Sequence, residues 1–448
     1  MNFGTYKVHS TILFIVCAIT YALVAFHRGA PAVLSKGMSE DFKVNTTELT
    51  VFSSMYYWTY ASLQPFSGLL ADVMNPSILI SGAALTAASG SFLCGYSKSL
   101  SIAVIGRFIV GIGTAPTIIP ISKLLTRWYP ENWYAVLNGA MMGCGGAGGI
   151  LSQAPLRAFS NYYSWRMAFY LVSITGFLFG IFDLLVVKQD PTIMGFDPVV
   201  KSKFKPTEDI SLKNRLSLLW ENFLVVVTMP TYWLLCMLTF MMGGSQLDIF
   251  GLWGGPYIRD VFPTFNDGTM LLSISIAMIT ASIYLPILSD WLGTRKWVMS
   301  GCTLVAASIS LIFYIFDKKM SFWVMFVLMY LWGSATAGYS SILYAYVREV
   351  CEPKYVATML GCINVFPFVG GATLQSITGK MLKNHGSINN KYSHTAYHES
   401  LWRVILICTS LATIPTFILK DSKVETEDLD SNPMSSNDPN DPDKVTEM

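Results

Sequence analysis

Arg28 lies inside an apolar run, Tyr21-Ala-Leu-Val-Ala-Phe-His-Arg-Gly-Ala-Pro31. A guanidinium is a planar fork of N–H donors that fits a carboxylate or a phosphate and stays charged at any ordinary pH. In hydrocarbon such a charge costs about 2.5–3.5 kcal/mol, so it is expected to face a partner or a wet cavity. Two readings follow: Arg28 holds an anionic solute, or it reaches out to an interface near Pro31. His27 adjoins it but points off another side of the helix, where a proton relay is the functional option. Asp248 is the only acid in its own apolar run. There a carboxyl can stay neutral and titrate, or receive a substrate amine; the bland reading is a cap or a loop pairing.

Uncharged polar residues repeat at helical spacing. Tyr57, Tyr60 and Gln64 share one face, as do Tyr339 and Tyr346; Asn364 goes with Gln375, and Asn138 with Gln153. Polar groups in hydrocarbon need partners, so these faces are expected to turn inward. They line an aromatic, hydrated cavity, or they are interhelical hydrogen bonds. Tyr56, Trp58 and Trp253 serve equally as packing or interface aromatics.

Other chemistry lacks its residues. Gly143-Cys-Gly145-Gly-Ala-Gly148 spells G-x-G-x-x-G, but a dinucleotide site needs a preceding strand and a helix start there. These glycines sit inside an apolar run and read as close helix packing. There is no G-x-x-x-x-G-K-[ST] loop and no nucleophile–base pairing, so neither an enzyme nor a cofactor is expected. The eight cysteines are scattered without a C-x-x-C pair and read as packing residues. His385, His394 and His398 share a loop and read as solvated, so no metal site is expected.

The chain that positions these residues has 448 of them, 13% charged and 52% apolar, with a net charge of +2. Its mean hydropathy is +0.47. That is too little charge for a soluble surface, too apolar for disorder, and without the basic field that nucleic acid requires. A multi-span membrane protein remains. Twelve apolar runs predict spans near 10–33, 48–70, 77–97, 101–124, 134–157, 164–187, 229–256, 268–290, 297–316, 321–347, 355–379 and 400–420. The first lacks a cleavage signature and reads as a span, not a signal peptide.

Charge collects in two places, eleven residues in 188–222 and eleven in 421–448. This divides the chain into a six-helix bundle at 1–187, a linker at 188–228, a second bundle at 229–420 and an acidic tail at 421–448. An interfacial helix is expected in the linker at Leu212–Trp220, and the tail reads as disordered. The halves repeat: Gly68-Leu-Leu-Ala-Asp72 follows the second span, and Pro286-Ile-Leu-Ser-Asp290 follows the eighth, 218 residues on. The same offset from Arg28 reaches Gln246, which pseudo-symmetry places across a shared cavity. Gln246 is neutral, and the run around it holds no second basic residue. A monocarboxylate or zwitterion is therefore favoured over a doubly charged phosphate ester.

The two Asp72 and Asp290 segments resemble the G-x-x-x-D-R-x-G-R-K loop of the major facilitator superfamily. The first has Val73 for Arg and Asn75 for Gly; the second has Pro286 for Gly and Trp291 for Arg but keeps Gly293, Arg295 and Lys296. Arg107-Phe-Ile-Val-Gly111-Ile-Gly113 is similar to the family's R-x-x-x-G-x-G segment, and the glycines from Gly139 to Gly149 to its antiporter-type segment. Helix one resembles the organic-anion and sugar-phosphate branch, in which an arginine here binds an anionic group. A less characterised group of bacterial carriers, some serving amino-acid uptake, is also similar.

The resemblance implies an all-α membrane protein of two pseudo-symmetric six-helix bundles that works by alternating access. A solute or proton gradient would drive it. It makes Asp72, Asp290 and Arg107 gating residues, the aspartates pairing with the neighbouring bundle and Arg107 alternatively supporting a proton pathway. Both termini would be cytoplasmic, in a plasma or inner membrane, and six basic residues in the linker agree with that side. Lipid, a small solute and protons would be the partners of a monomer. The alternatives are a sugar or drug carrier with a structural Arg28, and a non-transporting sensor that signals through its tail.

Overall fold

The computed structural model describes residues 3–196, 212–388 and 391–422. Linker residues 197–211 and tail residues 423–448 lie outside the described part, so the expectations made for them have no structural counterpart. The first half comprises α1 (Phe3–Phe42), α2 (Leu49–Val73), α3 (Pro76–Tyr96), α4 (Leu100–Thr114) with α5 (Ile118–Trp128), α6 (Glu131–Leu151) with α7 (Ala154–Tyr162), and α8 (Trp165–Val186). After the linker helix α9 (Leu212–Thr228), α10 (Pro230–Asp248) runs through a π-turn at Ile249–Trp253 into α11 (Gly254–Val261). Then come α12 (Asp267–Leu292), α13 (Lys296–Phe316), α14 (Phe322–Val350), and α15 (Pro353–Ile363) with α16 (Phe366–His385). The last rod is α17 (His394–Tyr397), a π-turn at His398–Trp402, α18 (Arg403–Leu411) and α19 (Thr413–Ile418). Among the described residues, ten rods are long and apolar enough to cross a membrane. The two other predicted spans fall on α2 and on α6 with α7.

Packing follows the rules of a lipid solvent, where close approach and hydrogen bonds hold helices together. α8 exposes Leu171, Ile174, Leu178, Ile181 and Leu185 along one face. Its opposite, small-residue face meets α3: Ser173 Oγ donates to the Ala88 carbonyl (2.9 Å), and Ser81 Oγ to the Gly180 carbonyl (2.6 Å). The two copies of the repeated loop turn differently. α12 ends on Gly293 at φ +65°, the left-handed position glycine tolerates. α2 meets α3 through extended Met74 and Asn75, and the Asn75 side chain caps α3 by accepting from the Ser77 amide (2.9 Å). No positive φ is needed there, so asparagine can replace the usual glycine. The fifth and eleventh rods are each broken, at Ser152–Gln153 and at Asn364–Val365. Pro155 and Pro367 follow the breaks; with no N–H to give, neither can continue the preceding helix.

The halves also meet at the end opposite the termini. There Asp267, 1% exposed, accepts from two arginines: Arg157 of α7 at 3.0 Å, across the halves, and Arg259 of α11. Arg259 also donates to Ser35 Oγ (2.6 Å) and the Ala32 carbonyl (3.3 Å), and Arg157 to the Val33 carbonyl (3.3 Å). These buried charges are paired and hydrogen-bonded on both sides of the seam, as a stable buried ion cluster must be. Two glycines make the approach possible: a Cβ at Gly255 would overlap the Ala32 carbonyl oxygen, and one at Gly268 would lie 3.0 Å from Ala154 Cα. This end is sealed. Toward the terminal end Tyr344 is 40% exposed.

Gly255→Val is expected to prop the seal open. In a cysteine-free background, a cysteine replacing buried Val33 should then react about tenfold faster with a charged thiol reagent, a bias of roughly 1.4 kcal/mol.

Candidate functional site

The site begins with a carbonyl. Pro31 has no N–H, so the His27 carbonyl one turn earlier in α1 loses its helical donor. Arg107 of α4, fully buried, supplies the replacement, with both Nη1 and Nη2 at 3.0 Å. Its guanidinium also lies over the Phe52 and Tyr56 rings, 5.0 and 4.8 Å from their centroids. The His27 ring is buried with Nε2 3.3 Å from Ser91 Oγ. Arg107 thus fixes the segment of α1 that carries Arg28.

Arg28 points between the halves. Nη2 donates to Tyr60 Oη (3.1 Å), and the guanidinium carbon lies 5.1 Å from the Tyr60 and Phe368 ring centroids. Its buried Nε has no partner, and among the described residues no carboxylate pairs with it. Tyr57 Oη donates to the Arg28 carbonyl (3.1 Å), and the Tyr60 and Phe368 rings meet at 4.3 Å across the halves. The face predicted from Tyr57, Tyr60 and Gln64 is buried here, with the Gln64 amide nitrogen unpartnered. Gln246 also keeps an unpartnered amide nitrogen. One turn on, the Phe250 ring reaches the Gly29 backbone, next to Arg28. The seam therefore carries an uncommitted donor, Arg28 Nε, with a second buried cation, Arg107, bound to the His27 carbonyl behind it.

Gln375 lies near Tyr57, since a Cβ at Gly251 would meet both Gln375 Nε2 and Tyr57 Oη; the other predicted residues make contacts of their own. Asp248 is fully buried in its own half; Oδ2 accepts from Thr378 Oγ1 (3.0 Å) and Oδ1 has no partner. Tyr339 packs against Gly243 inside the second half, and Tyr346 Oη donates to the Lys420 carbonyl (2.9 Å) at the terminal end. Their shared face does not join Arg28; Tyr344, not singled out from sequence, holds Asn364 Oδ1 at 3.2 Å beside the break in the eleventh rod. Gln375 donates to the Leu247 carbonyl (2.9 Å) and Asn138 accepts from Ser122, both as interhelical bonds. Asp290 pairs with Arg295 of its own loop (2.5 Å), and Arg295 with Glu349 of α14 (2.9 Å), so its partner is not the neighbouring bundle. Asp72 ends α2, but its side chain lies outside the described residues.

Of the three histidines only His385 is exposed as expected. His394 Nε2 lies 2.6 Å from Asp317 Oδ1, and His398 meets the Tyr314 carbonyl. Among the described residues no cluster fits a metal, and all eight cysteines are free thiols. Sequence reasoning missed Phe368, Asp183 and the Arg157–Asp267–Arg259 cluster. Phe368 carries no signal, being one apolar residue among many; the charges of the cluster, beside span ends, read as ordinary loop charge.

Comparison with known proteins agrees with this architecture. The family description Major Facilitator Superfamily matches residues 17–375. The hexuronate transporter of Bacillus subtilis is 20% identical over 402 residues, covering 85% of this chain and 89% of that protein. The probable hexose phosphate transport protein of Chlamydia muridarum is 21% identical over 404 residues, covering 85% and 87%. A bacterial homolog of the human lysosomal transporter Spinster, solved in an inward-facing and unoccupied conformation, superimposes with a TM-score of 0.72 at 16% identity, covering 91% of this chain and 95% of that one.

Arg107→Leu should strand the His27 carbonyl and cost about 1–3 kcal/mol. Pro31→Ala in that background restores an N–H and should recover part of the loss, read as unfolding midpoints in detergent. Additive effects would detach Arg107 from that carbonyl.

Proposed function

The chain belongs to the Major Facilitator Superfamily, and from that premise we propose that it is a secondary active carrier of a small carboxylated solute, an organic anion or amino acid. It is a multi-pass membrane protein of a transporter family and not an enzyme. The observation that carries the proposal is Arg28: a cation between the halves, hydrogen-bonded to the neutral Tyr60 hydroxyl, with a buried Nε left over. A charge so placed is best compensated by an anion that comes and goes. The spare amide nitrogens of Gln64 and Gln246 are donors as well, which suits carboxylate oxygens over an ammonium group. Arg28 is the cation that faces the seam, Arg107 being engaged with the His27 carbonyl, and one such charge suits one negative charge. The Bacillus relative's named solute, a hexuronate, is a small carboxylate.

The solute would sit among Arg28, Tyr57, Tyr60, Gln64, Gln246 and Asn364, with Tyr344 and Phe368 added and Tyr339 acting from behind. Rocking of the halves would expose it to each side in turn. The broken fifth and eleventh rods supply the irregular backbone that such sites use. With the termini cytoplasmic, as the basic linker supports, the sealed Arg157–Asp267–Arg259 end faces outward. Asp248 would carry a coupling proton, and Asp72, Asp290 and Arg107 would set the balance of states, in a monomer. A neutral-solute carrier is the second reading, favoured by the packing of Arg28 between Tyr60 and Phe368.

In proteoliposome counterflow with labelled monocarboxylates and amino acids, Arg28→Ala and Arg28→Lys should abolish flux while the protein elutes as wild type. The loss is about 2–5 kcal/mol of solute binding, thirtyfold or more. Undiminished carboxylate flux in both variants would remove the anion site and leave the neutral-solute reading.

A further inference from the structure

Asp183 is a carboxyl for which nothing so far has given a use. It lies near the end of α8 and is fully buried inside the first half. Oδ2 accepts from Thr20 Oγ1 of α1 at 2.7 Å, and Oδ1 has no partner. Cys17 lies one helical turn from Thr20 on α1 and is buried. From α3, Ser77 and Ser81 donate to the Leu184 and Gly180 carbonyls. Two turns before Cys17 on α1, His9 Nε2 is 3.1 Å from the Val186 carbonyl of α8. Among the described residues no ion pair joins Asp183 to a lysine or arginine. A bare carboxylate with one hydroxyl donor is costly in such a place. A carboxylic acid is not, and the free Oδ1 is where its hydrogen would sit.

Asp248 in the other half has the same bonding, though not at the repeat-equivalent position: it takes one threonine hydroxyl, from Thr378, and also leaves Oδ1 open. Thr20 links Asp183 to the solute site. It lies two turns before His27 and Arg28 on α1, and with His27 it lines a cavity of about 20 Å³ between α1, α3, α4 and α8, room for one water.

We propose that Asp183 is a proton-binding site of the first half, bonded as Asp248 is, loaded and unloaded as α1 shifts against α8. The carboxylate takes one proton from the aqueous space to become the acid, and returns it when movement of Thr20 withdraws the hydroxyl and admits water. This rests on the carrier reading, but its test needs no solute.

Infrared spectra of the full chain in lipid vesicles, taken across a pH titration, read the carbonyl stretch of protonated carboxyls. Asp183→Asn should delete one component and Asp248→Asn another. Thr20→Val should move the Asp183 component to higher frequency, because its hydrogen bond is gone. This second variant carries the test if Asp183→Asn does not fold. In the cysteine-free background, the reactivity of a cysteine at Val33, divided by that of a free thiol at the same pH, should vary with pH and lose about half or more of that variation in Asp183→Asn. An Asp183→Asn spectrum superimposable on wild type, a Thr20→Val spectrum unmoved, or an undiminished pH dependence of the cysteine would each overturn the proposal. Loss of carboxylate flux in Arg28→Ala bears on the solute site alone, so the two failures are distinguishable.

Discussion

The carbonyl oxygen of His27 is the constraint from which the site is built. Pro31 deprives it of its helical donor, and in a lipid-embedded bundle no bulk water can replace that donor. Arg107 does so with two N–H groups. That arginine is itself a buried charge, tolerated because carbonyl dipole and aromatic faces surround it. The consequence is positional. The helix that carries Arg28 is held from behind by a second cation, so Arg28 projects into the seam between the halves. Tyr57 holds the Arg28 carbonyl and Tyr60 meets the guanidinium. A preorganised cation without a resident counter-charge is the result.

The same economy of polar groups explains the seal. Ala32 and Val33 follow Pro31 on α1, and their carbonyls accept from Arg259 and Arg157, which in turn enclose Asp267. One proline-containing helix therefore contributes both to the Arg28 seam and to the closed end. A movement of α1 that changes contacts at Arg28 must also disturb the seal, and through Thr20 it reaches Asp183. A single helix is thus in contact with the Arg28 seam, the closed end and Asp183.

Much of this was legible beforehand, for definite reasons. Runs of apolar residues interrupted by charge mark spans in any membrane protein, and the repeat of Asp72 and Asp290 marked two halves. Arg28 stood out because a guanidinium inside an apolar run has few bland uses. The i, i+3, i+7 spacing of Tyr57, Tyr60 and Gln64 put them on one face, but spacing cannot say which way a face turns. For that reason Tyr339 and Tyr346, equally periodic, pack within their own half while Tyr344 meets Asn364. Phe368 and Thr20 became visible only through tertiary proximity. Asp290 shows the limit of motif reasoning: the acid is where the motif puts it, but Arg295 and Glu349 of its own bundle are its partners.

The central claim is that Arg28 reads a carboxylate. The most direct measurement compares thermal stabilisation of the purified protein by a small monocarboxylate and by its carboxamide, equal in shape but uncharged. The account predicts that the carboxylate stabilises wild type in a saturable way, that the carboxamide does not, and that Arg28→Gln abolishes the difference. Equal stabilisation by acid and amide in wild type, or a preference for the acid that survives in Arg28→Gln, would contradict it.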